Sequence, residues 1–342
     1  MSRDNDSTAT SSISDLPDGS SRVPLVTIGM PVYNGSRYLE KAVRSLLDQT
    51  ERDFVLLISD NCSTDETAEI CARLREEDPR IEYVGQTSNI GPARNFEHVL
   101  RAARSPFFMW AAHDDLHAPT FLATCLQLLS QARDAVACSV GVQLIDEAGG
   151  EVLRMLPSTD LSSPDPVKRA RAVFKNGQMA IYGLMRREFV PESAELRDIR
   201  GSDVAFVFAF ALSRPIVTTS EILTTYRLVE GEAKATGPHA QLYDGTRYPV
   251  EMYRSMKREV DRSALGWKAN ARLRLLLAAR RFISARQAAS YRNRVRMHHA
   301  RAEHRWGTVA LRLPLELVIG PGNVLAFIRR KIAAAVGNPP QG

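Results

Sequence analysis

The sequence predicts an α/β fold in which a mostly parallel, open sheet is flanked by helices and followed by a helical, basic C-terminal region. Five short runs rich in β-branched and aromatic residues indicate strands, and segments with helical spacing separate them. The runs span residues 25–33, 54–60, 81–85, 107–112 and 135–145. Strands that alternate with helices of this length pair in parallel through right-handed crossovers, so helices should cover both faces of the sheet.

Helical patterns fill the gaps between the predicted strands. The first pattern comprises Tyr38, Leu39, Ala42, Val43, Leu46 and Leu47. In residues 63–80, Ser63 stands three positions before Glu66, which predicts a capping box at the start of a second helix. The longest apolar run, residues 204–212, fits a buried helix or strand. Because it is shorter than the ~18 apolar residues of a membrane span, we expect no integral membrane segment.

Composition and charge divide the chain into three predicted parts. Residues 1–22 are rich in Ser, Thr and Asp and lack a large apolar cluster, which predicts a disordered tail. Residues 23–250 are the predicted α/β domain, with halves at about 23–146 and 147–250. Residues 251–331 carry 19 Lys and Arg against 5 Asp and Glu, a local net charge of +14 in a chain whose total is +6. The remainder therefore carries −8, and we expect the basic region, 251–342, to face a different partner from that of residues 1–250.

The cysteines indicate reduced thiols rather than a disulfide framework or a zinc site. They stand apart without Cys-x-x-Cys spacing, at Cys62, Cys71, Cys125 and Cys138. No apolar signal segment occurs at the N-terminus. Both observations favour a cytoplasmic protein.

Polar residues gather where the predicted strands end. The segment Pro31, Val32, Tyr33 and Asn34 follows the first strand, Asp60 and Asn61 follow the second, and Asp114 and Asp115 follow the fourth. Because ligands of open α/β sheets bind beyond the carboxyl ends of the strands, these residues are the first candidates for a binding site.

The paired carboxylates Asp114 and Asp115 suit a cation that a nucleoside diphosphate helps to hold. Neighbouring side chains on an extended segment point to opposite sides, so one carboxylate can accept hydrogen bonds while the other binds metal. Mg²⁺ or Mn²⁺ typically takes one or two protein carboxylates and completes its shell with water and phosphate. The alternative is ordinary turn chemistry, with Asp115 capping the helix that starts near Pro119.

Four segments, in this order and spacing, resemble the inverting family 2 glycosyltransferases, which have a GT-A fold with a Rossmann-like sheet. They read PLVTIGMPVYNGSRYLEKAVRSLLDQT, VLLISDNCSTDETAEI, SNIGPARNFEHVL and FFMWAAHDDLHAPTFL. The resemblance is clear over residues 24–146, thinner to about 227, and absent beyond. It implies transfer of a sugar from a nucleotide-diphosphate donor to an acceptor hydroxyl, with inversion and with Mn²⁺ or Mg²⁺, in bacterial cell-surface glycan or glycolipid synthesis.

The resemblance also implies residue roles in donor binding. The segment from Pro31 through Val32 and Tyr33 to Asn34 would pass along the uridine end of the nucleotide. Asp60 and Asn61 would recognise the base; Asn61 stands where relatives have a second acid, which leaves the choice among UDP- and other donors open. Asn89, Gly91 and Arg94 would line the nucleotide, although Gly91 equally suits a simple turn before a helix. Asp114 would contact ribose and Asp115 the metal, while His113 is either a further ligand or a packed or solvent-facing side chain.

For the reaction itself, the resemblance implies that Asp203, in RGSDVAFVF, is the general base. The alternative is that Ser202 or Asp203 caps the helix that begins there. Glu195 and Asp198 are reserve candidates. Arg227 either pairs with the diphosphate or makes a structural salt bridge, and Val229 stands where relatives often have His.

The basic region suggests two alternatives, a membrane-surface element beside a lipid-linked acceptor or a solvated helical bundle packed on the α/β domain. The first would place the protein peripherally at the inner face of the membrane. Nucleic-acid binding is disfavoured because helix-turn-helix, zinc and aromatic-stacking signatures are missing from the sequence. Two other functions compete with sugar transfer: a nucleotidyltransferase, for which the Gly-x-Gly-x-Arg loop is missing, and a non-catalytic binding or scaffold protein for sugar nucleotides.

Overall fold

A computed structural model describes residues 22–175, 177–190, 196, 201–227 and 248–280 of the 342-residue chain. The predicted disorder of residues 1–22 concerns a segment that, apart from Arg22, lies outside the described residues. Most of the basic region lies outside them too, as do Glu195, Asp198 and Val229. The boundaries predicted for the three parts of the chain stay predictions.

Nine strands and seven helices are delimited within these residues. The strands are β1 (Val26–Val32), β2 (Phe54–Asp60), β3 (Ile81–Gly85), β4 (Phe107–Trp110), β5 (Leu116–His117), β6 (Ala137–Ile145), β7 (Glu151–Met155), β8 (Met185–Arg186) and β9 (Ile216–Arg227). The helices are α1 (Leu39–Leu47), α2 (Thr67–Glu77), α3 (Pro92–Ala102), α4 (Phe121–Gln131), α5 (Pro166–Val173), α6 (Ser202–Ser213) and α7 (Tyr248–Arg262). A further helical segment, 267–280, follows α7.

All nine strands belong to one mixed sheet, whose order is β3-β2-β1-β4-β8-β6-β9-β5, with β7 paired to β6. β1 pairs in parallel with both β2 and β4, and β2 pairs in parallel with β3. β8 lies antiparallel between β4 and β6, so β6 again runs in the direction of β4. β9 is parallel to β6, while β5 and β7 are antiparallel edge additions. The predicted α/β fold with a mostly parallel sheet is confirmed.

Two apolar cores lie on the two sides of this sheet. One core contains Ile28, Met30 and Leu56 beneath α1 and α2, and the other contains Val99, Phe108 and the apolar face of α6. All seven residues of β1 are buried, as expected for a central strand covered on both faces. This double cover fixes where each parallel strand ends, and thus where the polar residues that follow it lie.

One local prediction is wrong in the structure, and another that was left open is decided. α2 begins at Thr67 with Glu66 as its N-cap residue and no side-chain cap, so the predicted Ser63–Glu66 capping box is wrong. Ser63 is engaged elsewhere, because its Oγ accepts a hydrogen bond of 2.9 Å from the backbone N–H of Asn34. The apolar run 204–212 proves to be helical, within α6, and nearly all of its side chains are buried.

The beginning of the basic region packs on the α/β core. Met252, Tyr253, Met256 and Val260 of α7 are buried in the same core as the phenylalanines of α6. For this stretch, therefore, packing on the α/β domain is observed. Within the part of the chain that is described, no helix combines the length and apolarity needed to cross a bilayer.

Candidate active site

The loop between β4 and β5 carries the paired carboxylates at the carboxyl end of a buried strand. Asp115 is only 7% exposed, and its Oδ1 accepts a hydrogen bond of 3.0 Å from the backbone N–H of Arg227. Asp114 is half-buried. The two neighbours therefore differ in surroundings, as expected. The capping alternative for Asp115 is not observed, because the N-cap residue of α4 is Thr120 and no side chain caps that helix.

Asp203 lies in the first turn of α6, whose N-cap residue is Gly201, with φ of 82°. Neither Ser202 nor Asp203 is thus the N-cap residue that the alternative required. The Asp203 side chain is exposed to solvent. Surrounding protein raises the pKa of its carboxyl, against the lowering effect of the backbone N–H groups of Val204 and Asp203 itself. Because the carboxylate stays accessible, this rise is smaller than full burial would produce.

Tyr182 brings the three candidate carboxylates into one neighbourhood. Burial, and then the negative charges of Asp115, Asp203 and Asp114, raise the pKa of the Tyr182 hydroxyl. The Tyr182 ring meets the ring of Tyr226 edge-on, with centroids 5.5 Å apart. Burial and the charge of Asp115 likewise raise the pKa of Tyr226. The sequence analysis did not identify Tyr182 and Tyr226, which adjoin the site. Tyr226 directly precedes the candidate Arg227, whereas no pattern in the residues around Tyr182 indicates its position.

An aromatic cluster links the strand before Asp114 to the helix that carries Asp203. Trp110, at the end of β4, packs edge-on against Phe206 of α6 with ring centroids 5.1 Å apart. It also packs against Phe108, and its Nε1–H donates to the backbone oxygen of Phe96 at 3.0 Å. Aromatic pairs of this geometry contribute roughly 0.5–1.5 kcal/mol beyond area burial. The apolar run before the two aspartates thus fixes their position relative to Asp203.

Asp60 and Asn61 are buried, each 3% exposed, and their side chains hold neighbouring loops. Asp60 Oδ1 accepts from the backbone N–H of Ser63 at 3.0 Å, and Oδ2 accepts from the Tyr83 hydroxyl at 2.9 Å. Asn61 Oδ1 accepts from the backbone N–H of Ile90 at 2.8 Å. These bonds tie β2 to β3 and to the loop before α3, in addition to any contact with a ligand.

Asn89 completes this bridge to α3. Asn61 Nδ2 donates to Asn89 Oδ1 at 3.0 Å, and the backbone N–H of Gly91 donates to the same oxygen at 2.9 Å. Gly91 is the N-cap residue of α3 with φ of 88°, a conformation that favours glycine and matches the turn alternative. Arg94, in the first turn of α3, is exposed and has no hydrogen-bond or ion-pair partner among the described residues. Its guanidinium is thus available for an anion.

The segment from Pro31 to Asn34 leaves the sheet beside these residues. Pro31 and Val32 end β1, and Tyr33 is 45% exposed. Asn34 has φ of 51°, and its Oδ1 accepts a hydrogen bond of 2.9 Å from the backbone N–H of Thr64. Tyr33 therefore presents an aromatic ring to solvent from a loop that is fixed to the end of β2.

Arg227 does not form the structural salt bridge that was one of the two alternatives for it. Its guanidinium lies 4.5 Å above the ring of Tyr38, and its Nη1 donates to the backbone oxygen of Asp146 at 3.5 Å. No carboxylate of a described residue pairs with it, and its buried Nε lacks a hydrogen-bond partner in the described chain. The expected structural salt bridge is therefore replaced by stacking on Tyr38.

The donor set fits a divalent cation that takes only part of its shell from protein. No group of three or more His, Cys, Asp and Glu side chains able to hold a metal occurs among the described residues. Asp114 and Asp115 offer carboxylate oxygens, and a site with one or two protein carboxylates suits Mg²⁺ or Mn²⁺ with phosphate and water. His113 packs over Gly35, since a Cβ added to Gly35 would approach the imidazole Cδ2 to 2.7 Å. This supports the packed alternative for His113.

Solved structures share this fold. A 349-residue segment of TarS from S. aureus, in complex with UDP-GlcNAc, superposes with a TM-score of 0.59 at 17% identity. The similarity covers 77% of this chain and 74% of that one. The fold is of the GT-A type.

Sequence relatives define the family within that fold. Residues 27–186 match the family model "Glycosyl transferase family 2", so the chain carries a family 2 glycosyltransferase domain. A chondroitin synthase of Escherichia coli is 36% identical over 106 residues, covering 31% of this chain and 15% of the relative. A GalNAc(5)-diNAcBac-PP-undecaprenol beta-1,3-glucosyltransferase of Campylobacter jejuni is 30% identical over 128 residues, covering 37% and 40%. The chain thus spans less than half the length of these two curated relatives.

Proposed function

We propose that the protein transfers a sugar from a nucleoside diphosphate donor to an acceptor hydroxyl with inversion, assisted by Mn²⁺ or Mg²⁺. The observation that carries this proposal is the packing of Trp110, just before Asp114 and Asp115, against Phe206 of the helix that carries Asp203 in its first turn. The two aspartates lie in the segment that matches the glycosyltransferase family 2 model, and Asp203 follows that segment. A metal ligand beside an accessible carboxylate is what such a displacement requires. A protein that only binds sugar nucleotides would have no use for Asp203.

The donor nucleotide is proposed to lie across the ends of β1, β2 and α3. Tyr33 offers an exposed ring for stacking on the base, and Asn34, Asp60, Asn61 and Asn89 shape the surrounding loops. The exposed guanidinium of Arg94, which pairs with no side chain of the described residues, is suited to the negative charge of the donor. Asp114 is proposed to accept hydrogen bonds from the ribose hydroxyls.

Asp115 is proposed as the metal ligand, with Asp114 beside it. When bound, the cation neutralises charge on the departing diphosphate. The hydrogen bond from the Arg227 backbone holds one carboxylate oxygen of Asp115, and pairing of β5 with β9 holds the backbone that follows it. The position of the ligand is thus fixed before the donor arrives, which reduces the cost of ordering it during binding.

Asp203 is proposed as the general base in a single displacement. As the acceptor oxygen attacks the anomeric carbon, its proton passes to the Asp203 carboxylate and the new C–O bond forms. The bond from the anomeric carbon to the diphosphate oxygen breaks, and its electron pair leaves with the diphosphate. Attack from the face opposite the leaving group inverts the anomeric centre.

The acceptor is proposed to be a glycan or a lipid-linked saccharide of a bacterial surface polymer. One relative is named as a chondroitin synthase and the other as a glucosyltransferase of a saccharide-PP-undecaprenol, and the chain matches part of each. The acceptor half, about 147–250, follows this segment for the most part and would determine which hydroxyl is used.

Activity on a panel of UDP-, GDP-, TDP- and CDP-sugars tests the proposal, with donor hydrolysis measured beside transfer. The wild type should release one nucleoside diphosphate in the presence of Mn²⁺, and Asp203→Asn should bind the donor but release little. Asp160→Asn is the matched control, because Asp160 is an exposed acid whose charge is not among those that act on Tyr182. Donor binding without hydrolysis or transfer across the panel would favour the binding or scaffold alternative.

A further inference from the structure

The helical segment 267–280 presents an apolar stripe to solvent. Trp267 is 77% exposed and Leu275 is 71% exposed, more than any other exposed large hydrophobic side chain of the described residues. Ala271 and Ala278 are also exposed. These four residues are four, four and three positions apart, so they lie on one face of the helix.

The opposite face anchors the helix to the body of the protein. Leu273 is fully buried and Leu277 is 4% exposed, and both belong to the core that contains α6 and α7. Burial of one such leucine contributes roughly 1.5–3 kcal/mol. The apolar stripe is therefore held outward by packing on its reverse side.

Cations flank the stripe. Lys268 lies with its ammonium 5.7 Å from the Trp267 ring centroid, and Arg272 and Arg274 are exposed. Arg272 and Arg274 have only surface ion pairs, with Asp165 at 4.0 Å and Asp261 at 2.8 Å. Such pairs are weak, so they exchange readily for another anion. In sequence, residues 263–302 contain ten Lys and Arg and no Asp or Glu.

We propose that this stripe is a docking surface for a lipid bilayer that contains anionic lipids. Trp267 and Leu275 enter the interfacial region, and Lys268, Arg272 and Arg274 lie among the lipid phosphates. A second copy of this chain would bring the same positive charge against it, which opposes self-association. A nucleic acid would match the charge but would leave Leu275 without an apolar partner. The proposal does not depend on the enzymatic activity.

Vesicle binding by the full-length chain tests this surface. Vesicles of phosphatidylcholine, with or without phosphatidylglycerol, are mixed with protein in a Trp306→Phe background, where Trp110 is buried and Trp267 is exposed. We expect co-flotation with the anionic vesicles, a blue shift of Trp267 emission and loss of both at high salt. The double variant Trp267→Ser/Leu275→Ser should bind at least about tenfold more weakly, because each substitution removes an apolar side chain that would be buried in the bilayer.

Two further variants test whether binding depends on this surface, and unfolding midpoints show whether a variant has lost its fold. Leu156→Ser, at another exposed leucine (51% exposed), should leave vesicle binding unchanged, and Lys268→Glu should weaken it. Thermal unfolding midpoints of all variants should match the wild type, because the altered side chains are exposed. The proposal is overturned if the wild type fails to float with anionic vesicles, or if the double variant floats equally well. It is also overturned if acrylamide cannot quench Trp267 in the free protein, or if only an oligonucleotide binds.

Discussion

The carboxylate of Asp115 accepts a hydrogen bond of 3.0 Å from the backbone N–H of Arg227, 112 residues further along the chain. Asp115 lies between β4 and β5, in the predicted donor half, and Arg227 ends β9, in the predicted acceptor half. One hydrogen bond therefore joins the two predicted halves at the proposed metal ligand. The hydrogen-bond donor is a backbone N–H, so an amide oxygen at position 115 can still accept the bond. The variant Asp115→Asn therefore removes the charge of the side chain while it keeps this structural contact.

Replacing Asp203 by Asn should reduce turnover by roughly 10²- to 10⁴-fold while donor affinity stays within about twofold. The amide cannot take the acceptor proton, but it keeps the size of the side chain in the first turn of α6. Single-turnover transfer and donor titration measure the two quantities. Turnover within threefold of the wild type would remove Asp203 from the role of base.

Turnover should also fall on the acid side with an apparent pKa above 3.8, the ordinary value for Asp. Partial desolvation by the surrounding protein raises the pKa of the Asp203 carboxyl, so protonation inactivates the base at a higher pH than for an ordinary carboxyl. A kcat/KM profile with a saturating metal concentration tests this. An acid limb that persists unchanged in the residual activity of Asp203→Asn would assign it to another group.

Acidification should destabilise the fold through His117. Burial lowers the pKa of His117 from 6.5 to about 4, and neither ring nitrogen has a hydrogen-bond partner among the described residues. The folded state therefore favours neutral imidazole, so its contribution is complete above pH 6.5 and declines as the pH falls toward 4. The loss over this window is on the order of 3 kcal/mol in the free energy of unfolding.

Urea unfolding at pH 7 and pH 5 measures this effect. His117→Phe keeps an aromatic ring beside Phe121, with which His117 packs edge-on at 5.0 Å, but cannot be protonated. Its unfolding free energy should vary less with pH than that of the wild type. An identical pH dependence in the two proteins would show that other groups cause it.

An alanine at Gly183 should destabilise the protein by roughly 1–3 kcal/mol or more. A Cβ at this position would collide with the backbone oxygen of Cys138 in β6, and backbone cannot give way as a flexible side chain does. Gly266→Ala is the matched control, because no atom lies within 4 Å of an added Cβ there. Equal unfolding midpoints for both variants would contradict the close approach that seats Tyr182 next to the sheet.

The sequence was sufficient for the long buried strands and for the edge at which the site lies. β2 coincides with its predicted run because it is a largely buried apolar segment, and β3 coincides with its run because β-branched and aromatic residues dominate it. β5 and β8 have two residues each, too few to show any periodicity, and their pairing depends on distant strands. The start of α2 was missed for a similar reason, since Ser63 bonds to Asn34 across the site rather than capping its own helix.

Among the site residues, local motifs located the carboxylates but not their surroundings. Asp114, Asp115 and Asp203 follow from the strand ends and from the resemblance to family 2 glycosyltransferases. Tyr182 becomes relevant only because the fold brings it near all three, and nothing in its own segment signals that. Likewise, stacking of Arg227 on Tyr38 joins residues 189 positions apart, which no local pattern contains.

Metal-dependent donor binding by the wild type and by Asp115→Asn tests the central claim most directly. Thermal unfolding is measured with a panel of nucleoside diphosphate sugars, with and without Mn²⁺. With donor at a hundredfold excess over its Kd, the wild type should gain about 2.7 kcal/mol only when metal is present. Asp115→Asn, which keeps an oxygen to accept the Arg227 hydrogen bond, should unfold alone like the wild type but lose this gain. Equal metal-dependent stabilisation in the variant would contradict the assignment of Asp115 as the metal ligand.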